Sequence, residues 1–322
     1  MKLNKFILSL SALVLGLNIL VTTVNAAPTG VLDVSKTKTY VKLISNVVYE
    51  QVPSRGYDNV AMKMDILKPE TRAQVPAIVY VTGGGFINAN KDSYIQQRMD
   101  LAEAGYLVAS IEYRVAPAVT FPKPLEDVKA AVRFLRANSK KYNINPAKIG
   151  LIGGSAGGYL VTMGGVTSGI KEFDKGDNLN VSSDVQAVVD TYGVTDLGKI
   201  GADYSMAVQE LHKSPGATEA LWVNGSPVFG GKDGGVLADP KKLDAANPWK
   251  YISSKTPPFL IMHGDIDTVV SPSQSALLHD ALIAKGIPST YYVVKNAKHG
   301  GDYWVQPEIS KLIIDFFDKN LK

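Results

Sequence analysis

A serine lies within the glycine-rich pentapeptide Gly153-Gly154-Ser155-Ala156-Gly157, which has the form G-x-S-x-G. The apolar run Ile149 to Ile152 precedes it and a segment rich in small residues follows, so a strand is predicted before the serine and a helix after it. In that context the serine occupies a sharp turn that lifts its hydroxyl above the sheet edge, where the start of the helix favours negative charge. These features predict that Ser155 is a nucleophile.

A serine hydroxyl needs a base that removes its proton, and the chain contains four histidines. The base is expected late in the chain, because this architecture has the order serine, acid, histidine. His299 follows the last predicted strand in a glycine-rich turn and is therefore the predicted base. The alternatives are His263 before a turn glycine, His279 on a predicted helix and His212 in an irregular segment.

Two aspartates, Asp265 and Asp267, follow the apolar run Phe259 to Met262 and could orient the imidazole. Asp267 lies further into the loop, where its side chain can turn back toward His299, so it is the predicted acid. Asp265 is expected to bond backbone N–H groups of the turn. Asp196, which follows another predicted strand, is a third candidate.

A second glycine-rich segment, Thr82-Gly83-Gly84-Gly85-Phe86, directly follows the apolar run Ala77 to Val81. Its glycines let backbone N–H groups face an open cleft, where one donor to the oxyanion of a tetrahedral intermediate contributes about 3 kcal/mol. The N–H of Ala156 supplies another such donor. Neither H-E-x-x-H nor clustered His and Asp spacing occurs, so no metal and no cofactor are expected.

The elements that must position these residues alternate between short apolar runs and helical patterns. This alternation predicts a mostly parallel α/β sheet with helices on both faces. Residues 41–49 and 61–67 predict an early hairpin, and helices are predicted to begin near Pro124 and Pro272 and to close the chain. The central strands are predicted at residues 77–81, 106–111, 149–152, 185–189, 259–262 and 291–294.

Residues 197–251 interrupt this alternation with many Gly, Pro, Asp and Lys residues, and they predict a lid insertion. Because the insertion leaves the sheet at the edge where the serine should emerge, its aromatic residues, Phe229 among them, are expected to wall an acyl or aryl pocket. Phe86, Trp222 and Trp249 are the predicted substrate contacts. The alternatives are that the rings only pack the insertion onto the core, or that the segment is poorly ordered.

The first 26 residues have the composition of an export signal. Lys2 and Lys5 precede the largely apolar stretch Phe6 to Val21, and small residues follow at Val24-Asn25-Ala26. A transmembrane anchor is the alternative, but it requires roughly 20 apolar residues with charged flanks. Signal cleavage would leave residues 27–322 as one domain in the periplasm or the medium, without stable membrane insertion.

The composition excludes several classes of protein. The chain of 322 residues is 45% apolar, which is enough for a large core and excludes a disordered protein. No run of Lys or Arg with interleaved aromatics occurs, so nucleic acid is not an expected partner despite the formal charge of +4. Without cysteine, the chain has no disulfide.

Together these motifs resemble the α/β-hydrolase superfamily. Within it, they are most similar to the bacterial esterase branch, which includes hormone-sensitive-lipase-like carboxylesterases and feruloyl or acetyl-xylan esterase-like enzymes. The similarity begins at about Lys63 and includes Glu112 to Pro117 and Phe121 to Val128. The resemblance implies an α/β-hydrolase fold. It also implies a triad of Ser155, Asp267 and His299, with oxyanion donors from Gly84, Gly85 and Ala156.

Two positions depart from that pattern. Thr82 stands where the family usually has a histidine before the glycines, and Gly154 stands where the lipase-like members often have aspartate. The second departure favours the feruloyl or acetyl esterase side. We expect a secreted serine esterase that cleaves short acyl or aromatic esters. Its substrate is expected to be a small-molecule ester or a glycan-linked ester, such as an ester of a plant polysaccharide. A peptidase or amidase of the same fold, or a non-catalytic binding relative, is the alternative.

Overall fold

The computed structural model describes residues 29–322, so the predicted signal segment 1–26 lies outside the described residues. Residues 29–37 belong to a separate short unit and contain no helix or strand, and residues 38–322 form one compact unit. Among the described residues, no helix combines the length and the apolar character needed to cross a membrane.

An eight-stranded sheet forms the centre of the compact unit, in the order β1-β2-β4-β3-β5-β6-β7-β8. The β1–β2 and β2–β4 pairs are antiparallel and the other pairs are parallel, which confirms the predicted mostly parallel sheet. The strands are β1 (Val41–Ser54), β2 (Tyr57–Pro69), β3 (Val75–Val81), β4 (Leu107–Ile111), β5 (Ile144–Gly154), β6 (Ala187–Thr191), β7 (Phe259–Gly264) and β8 (Ser289–Val294).

Two apolar clusters lie on opposite faces of the sheet, because alternate residues of each buried strand point to opposite sides. On β3, Val79 packs with helices α2 and α4 on one face, and Ile78 packs with α1 and α9 on the other. The helices are α1 (Ile95–Glu103), α2 (Lys123–Ala137), α3 (Ser139–Tyr142), α4 (Ala156–Val166), α5 (Met206–His212), α6 (Thr218–Asn224), α7 (Pro240–Ala245), α8 (Ser273–Ala284) and α9 (Pro307–Leu321).

The central strand β5 begins at Ile144, five residues earlier than its apolar run predicts. Its first residue pairs with Val75 of β3, and the pairing resumes at Ile149 after an irregularity. β5 thus includes a short polar stretch that apolar content alone did not identify as strand. A polar stretch can pair in a sheet because backbone hydrogen bonds do not depend on side-chain type.

The insertion at residues 197–251 is ordered and joins the core. It contains α5, α6 and α7, and the side chains of Trp222, Val223, Val236 and Ala246 are buried in the same cluster as α4. The N–H of Phe121 donates to the carbonyl of Trp222 at 2.9 Å, which links the insertion to the loop before α2. The segment is therefore a packed part of the domain and not a poorly ordered excursion.

A buried ion pair fixes the loop that follows β4. The Arg114 guanidinium donates to both carboxylate oxygens of Asp127, at 2.6 Å and 2.9 Å to Oδ1 and 3.1 Å to Oδ2, and its backbone N–H donates to Oδ2 at 2.7 Å. Two residues later, the N–H of Ala116 donates to the carbonyl of Phe86 at 2.9 Å. The pair therefore supports the glycine-rich segment that ends at Phe86.

Removing the cation of this pair leaves an uncompensated buried carboxylate, so we expect Arg114→Met to lower the free energy of unfolding by roughly 3–5 kcal/mol. The matched control is Lys311→Met, which breaks the pair of Lys311 with Asp315, whose side chains are 74% and 57% exposed. That change should cost about 0–1 kcal/mol. Urea unfolding of both variants measures the difference, and equal losses would contradict the assigned role of the buried pair.

Candidate active site

Ser155 lies at the turn between β5 and α4 in a backbone conformation that is unusual for a residue with a side chain, with φ 57° and ψ −125°. Its N–H donates to the carbonyl of Thr191 at 3.0 Å, and its carbonyl accepts from the N–H of Tyr159 at 2.9 Å. A Cβ on Gly157 would lie 2.1 Å from the carbonyl oxygen of Val81, so the G-x-S-x-G pattern satisfies a close approach of backbone segments.

The structure brings the three predicted triad residues into one hydrogen-bonded chain. The Nε2 of His299 lies 2.8 Å from the Oγ of Ser155, and its Nδ1 lies 2.7 Å from Oδ2 of Asp267. The three residues follow β5, β7 and β8, whose carboxyl ends meet at one edge of the parallel sheet. The arrangement is able to move a proton from the serine hydroxyl to the imidazole, with the carboxylate behind it.

The carboxylate of Asp267 is buried and receives several donors. Its Oδ1 accepts from the N–H groups of Val269 at 2.8 Å and Val270 at 3.1 Å. Burial alone would raise the pKa of Asp267, but hydrogen bonds from His263 and His299, together with the charge of His299 and the Val269 N–H, hold this pKa well below its usual range. Asp267 therefore stays ionised and can stabilise an imidazolium on His299.

The glycine-rich segment after β3 lies against the turn that contains Ser155. Gly84 and Gly85 line the cleft beside Ser155, and a Cβ on Gly83 would lie 2.7 Å from the carbonyl oxygen of Gly154. Ala156 is the first residue of α4, so its N–H has no intrahelical acceptor. The predicted donors at Gly84, Gly85 and Ala156 thus surround the serine.

Thr82 begins this segment in the position where a histidine was expected from the resemblance. Its side chain is buried, and its hydroxyl has no hydrogen-bond partner among the residues described. The carbonyl of Thr82 accepts from the hydroxyl of Tyr113 at 2.9 Å. The segment is therefore held through its backbone and not through the Thr82 side chain.

The cleft at Ser155 has a volume of about 300 Å³, and two tyrosines that sequence reasoning missed form part of its wall. The hydroxyls of Tyr94 and Tyr192 lie 3.0 Å apart, and the Tyr192 ring meets His299 edge to face at 4.9 Å between centroids. Tyr192 directly follows β6. Because residues at the carboxyl ends of parallel strands lie at the edge where binding sites form, this position could have identified Tyr192 from the sequence. Tyr94 lies in a loop and gave none.

Tyr192 also explains the glycine before the nucleophile. A Cβ on Gly154 would lie 2.7 Å from the hydroxyl oxygen of Tyr192 and 2.9 Å from Oγ1 of Thr191. The space that an aspartate would need at position 154 is therefore occupied by these side chains.

The predicted substrate contacts Phe86, Trp222 and Trp249 do not line this cleft. Phe86 and Trp222 are buried with their ring centroids 4.6 Å apart, and Trp249 is partly buried against the same cluster. Burying these large apolar surfaces together removes them from water and so stabilises the packing of the insertion onto the core. This corrects the expectation that they wall an acyl pocket.

The other candidate residues have separate partners. His212 bonds Glu219 at 2.7 Å, and His279 bonds the hydroxyl of Ser289 at 2.9 Å. Asp265 accepts from the N–H of Asn296 at 2.6 Å, a turn contact of the kind predicted for it. Asp196 accepts from the N–H of Gly198 at 3.0 Å, so it caps the short helix that follows. His263 is the exception, because it contacts Asp267.

Comparison with known proteins gives the family. The sequence pattern of the BD-FAE family, which consists of α/β-hydrolase esterases, matches residues 64–282, more than half of the chain. The chain belongs to the BD-FAE family. The resemblance to the bacterial esterase branch and the predicted α/β-hydrolase fold are both confirmed by this match and by the structural similarities below.

Three proteins illustrate the similarity of this BD-FAE chain. Esterase LipQ of Mycobacterium tuberculosis is 29% identical over 238 residues, which cover 73% of this chain and 52% of that protein. A truncated carbohydrate esterase from gut microbiota superposes with a TM-score of 0.74 at 29% identity, covering 87% of this chain and 96% of its own. An acetyl ester-xyloside bifunctional hydrolase from Caldicellulosiruptor lactoaceticus gives 0.66 at 27% identity, covering 81% and 88%. The BD-FAE chain spans about half the length of the curated relatives it matches.

A second buried carboxylate lies beneath α4, the helix that follows Ser155. Asp190 on β6 is fully buried, its Oδ2 accepts from the hydroxyl of Thr162 at 3.3 Å, and its Oδ1 has no partner among the described residues. Burial raises the pKa of Asp190 to about 7, and the charge of His263 and the few hydrogen bonds oppose this only in part.

The folded protein therefore retains a proton on Asp190 that the unfolded chain releases near pH 4, so this group's contribution to stability falls as the pH rises from about 4 to 7. We expect Asp190→Asn to remove this loss, with the difference in unfolding free energy growing by on the order of 1 kcal/mol per pH unit across that window. Denaturant unfolding at pH 4, 5, 6 and 7 measures it. A constant difference between variant and wild type at every pH would refute the assignment.

Proposed function

We propose that this BD-FAE protein is a serine ester hydrolase that forms an acyl-enzyme on Ser155, with His299 as base and Asp267 as the supporting acid. The observation that carries the proposal is the continuous chain of hydrogen bonds from Ser155 through His299 to Asp267, at 2.8 Å and 2.7 Å. Membership in a family of esterases supports the same reaction class.

In the first half-reaction, the Oγ of Ser155 attacks the ester carbonyl while its proton passes to Nε2 of His299. The N–H groups of Gly84, Gly85 and Ala156 donate to the oxyanion of the tetrahedral intermediate. The ester C–O bond then breaks, and the alcohol leaves with the proton from His299. In the second half-reaction, a water molecule gives its proton to His299 and attacks the acyl-enzyme, which releases the acid and restores the Ser155 hydroxyl.

The substrate class we propose is short acyl or aromatic esters, including acetyl or feruloyl esters of plant polysaccharides. A cleft of about 300 Å³ is at the lower limit of small-molecule sites, and this size favours a short acyl group. The similarity to proteins described as a carbohydrate esterase and an acetyl ester-xyloside hydrolase supports a glycan-linked alcohol. Export by the segment 1–26, to the periplasm or the medium, would bring the enzyme to such polymers.

Ser155→Ala removes the proposed nucleophile and leaves a side chain of similar volume. We therefore expect kcat on p-nitrophenyl acetate to fall at least about a thousandfold, and thermal unfolding to stay unchanged. A fluorophosphonate should label Ser155 in the wild type and leave the variant unlabelled. Ser93, another serine on the same cleft, provides the internal control because it is present in both proteins. Residual activity above a few per cent, or labelling of the variant, would refute the triad.

One aromatic residue of the insertion remains open to solvent. Phe229 is 79% exposed, and it lines a surface hollow of about 560 Å³ with Arg55 and Gly56 of the hairpin tip and Pro117 and Ala118. Pro117 directly follows Ala116, whose N–H holds the carbonyl of Phe86 at the end of the glycine-rich segment. An exposed ring beside an arginine can pack against a sugar ring and hydrogen-bond its hydroxyls, so we assign this hollow to the polysaccharide part of the substrate.

We therefore expect Phe229→Ala to lower kcat/KM on acetylated or feruloylated xylo-oligosaccharides severalfold and to leave kcat/KM on p-nitrophenyl acetate within about twofold. Val228→Ala is the matched control, because its side chain is the sequence neighbour, is 85% exposed and does not line the hollow. If the two variants reduce activity on the oligosaccharides equally, the hollow does not bind the glycan.

A further inference from the structure

A second histidine contacts the carboxylate of the proposed triad. His263 is the fifth residue of β7, and its side chain is fully buried. Its Nε2 lies 3.0 Å from the carbonyl oxygen of Val270 and 3.2 Å from Oδ2 of Asp267. Its Nδ1 lies 2.7 Å from the hydroxyl of Ser275 on α8.

These partners determine where the imidazole carries its proton. A carbonyl and an ionised carboxylate can only accept hydrogen bonds, so Nε2 of His263 must carry hydrogen; it donates to the carbonyl of Val270, and Oδ2 of Asp267 lies 3.2 Å from the same nitrogen. The hydroxyl of Ser275 can then donate to Nδ1. Both ring nitrogens have a partner when Nε2 carries hydrogen, and a ring with hydrogen on Nδ1 alone would leave Nε2 without hydrogen against two acceptors.

The consequence concerns the carboxylate of Asp267. Its Oδ2 accepts from His299 and also lies 3.2 Å from Nε2 of His263, and its Oδ1 accepts from two backbone N–H groups. Donors on both oxygens fix the rotation of the carboxylate about its Cβ–Cγ bond. Rotation would otherwise carry Oδ2 away from Nδ1 of His299, whose orientation toward Ser155 depends on that contact.

We propose that His263 is a positioning residue, which holds the Asp267 carboxylate through its Nε2–H so that His299 faces Ser155. This role rests on the proposed function, because it acts through the triad. It assigns catalytic importance to a buried histidine that does not lie on the cleft and touches no reacting atom.

The competing role for His263 is purely structural, as a link between β7, the loop at 265–270 and α8. Both roles include the contact with Ser275 at Nδ1, but only the positioning role requires donation from Nε2 to Asp267. Variants that keep one contact and remove the other therefore distinguish them.

The other polar groups around the pair are Asp190 on β6, whose pKa responds to the charge of His263, and Tyr204, whose hydroxyl donates to the Asp267 carbonyl at 3.0 Å. Both stay unchanged in these variants.

The amide nitrogen of glutamine reaches about as far as Nε2 of histidine, and the amide nitrogen of asparagine about as far as Nδ1. We expect His263→Asn to lower kcat on p-nitrophenyl acetate on the order of 10- to 100-fold, because the triad is no longer aligned. KM should stay within about twofold, because substrate binding does not depend on that alignment. His263→Gln should retain kcat within about fivefold of wild type. Ser275→Ala, the control at the other nitrogen, should lower the melting temperature and leave kcat within about threefold.

Equal kcat values in the Asn and Gln variants, or a Ser275→Ala variant as impaired as His263→Asn, would overturn the positioning role. If His263→Asn does not fold, nitrogen NMR of wild-type protein with labelled histidine tests the premise of the proposal, which is the hydrogen on Nε2. The ring of His263 should carry hydrogen on Nε2, and hydrogen on Nδ1 alone would refute the proposal. A wild type that neither hydrolyses esters nor reacts with a fluorophosphonate would instead refute the proposed function, so the two failures are distinguishable.

Discussion

The close approach of backbone segments around Ser155 is the constraint on which the rest of the site depends. The start of α4 lies so near β3 that a Cβ at Gly157 would meet the Val81 carbonyl at 2.1 Å. Within that space Ser155 adopts a positive φ, which projects its side chain from the sheet edge toward His299. The position of β5 between β3 and β6 then places the glycine-rich segment on one side of the serine and Tyr192 on the other.

Two buried aspartates near this turn show how hydrogen bonding decides the charge of a carboxyl group. Burial disfavours ionisation of both. Asp267 receives donors from two imidazoles and two N–H groups, which hold its pKa below the usual range. Asp190 has an oxygen without a partner among residues 29–322, and its pKa rises to about 7. The difference leaves Asp267 ionised beside His299, as the proposed function requires.

Support for the glycine-rich segment comes from residues distant in sequence. The buried pair of Arg114 and Asp127 fixes the loop that holds the Phe86 carbonyl, and the Phe86 ring packs between Trp222 of the insertion and Tyr159 of α4. The insertion consequently packs against the last residue of the glycine-rich segment. In the proposed mechanism this packing matters because donors that are held in place need no rearrangement when charge develops.

The sequence by itself determined the mostly parallel sheet, the turn at Ser155 and which Asp and His residues would meet Ser155. These features follow from apolar periodicity, from glycines at close approaches and from the rule that parallel strands end at one edge. Only the tertiary structure decided that Phe86 and Trp222 pack against each other, that Tyr94 and Tyr192 wall the cleft and that His263 contacts Asp267. The sequence shows the same aromatic residue whether its ring lines a pocket or packs in a core. It likewise shows the same histidine whether the imidazole acts as a base or supports one. Their roles depend on neighbours brought together by long-range packing, which local sequence patterns do not encode.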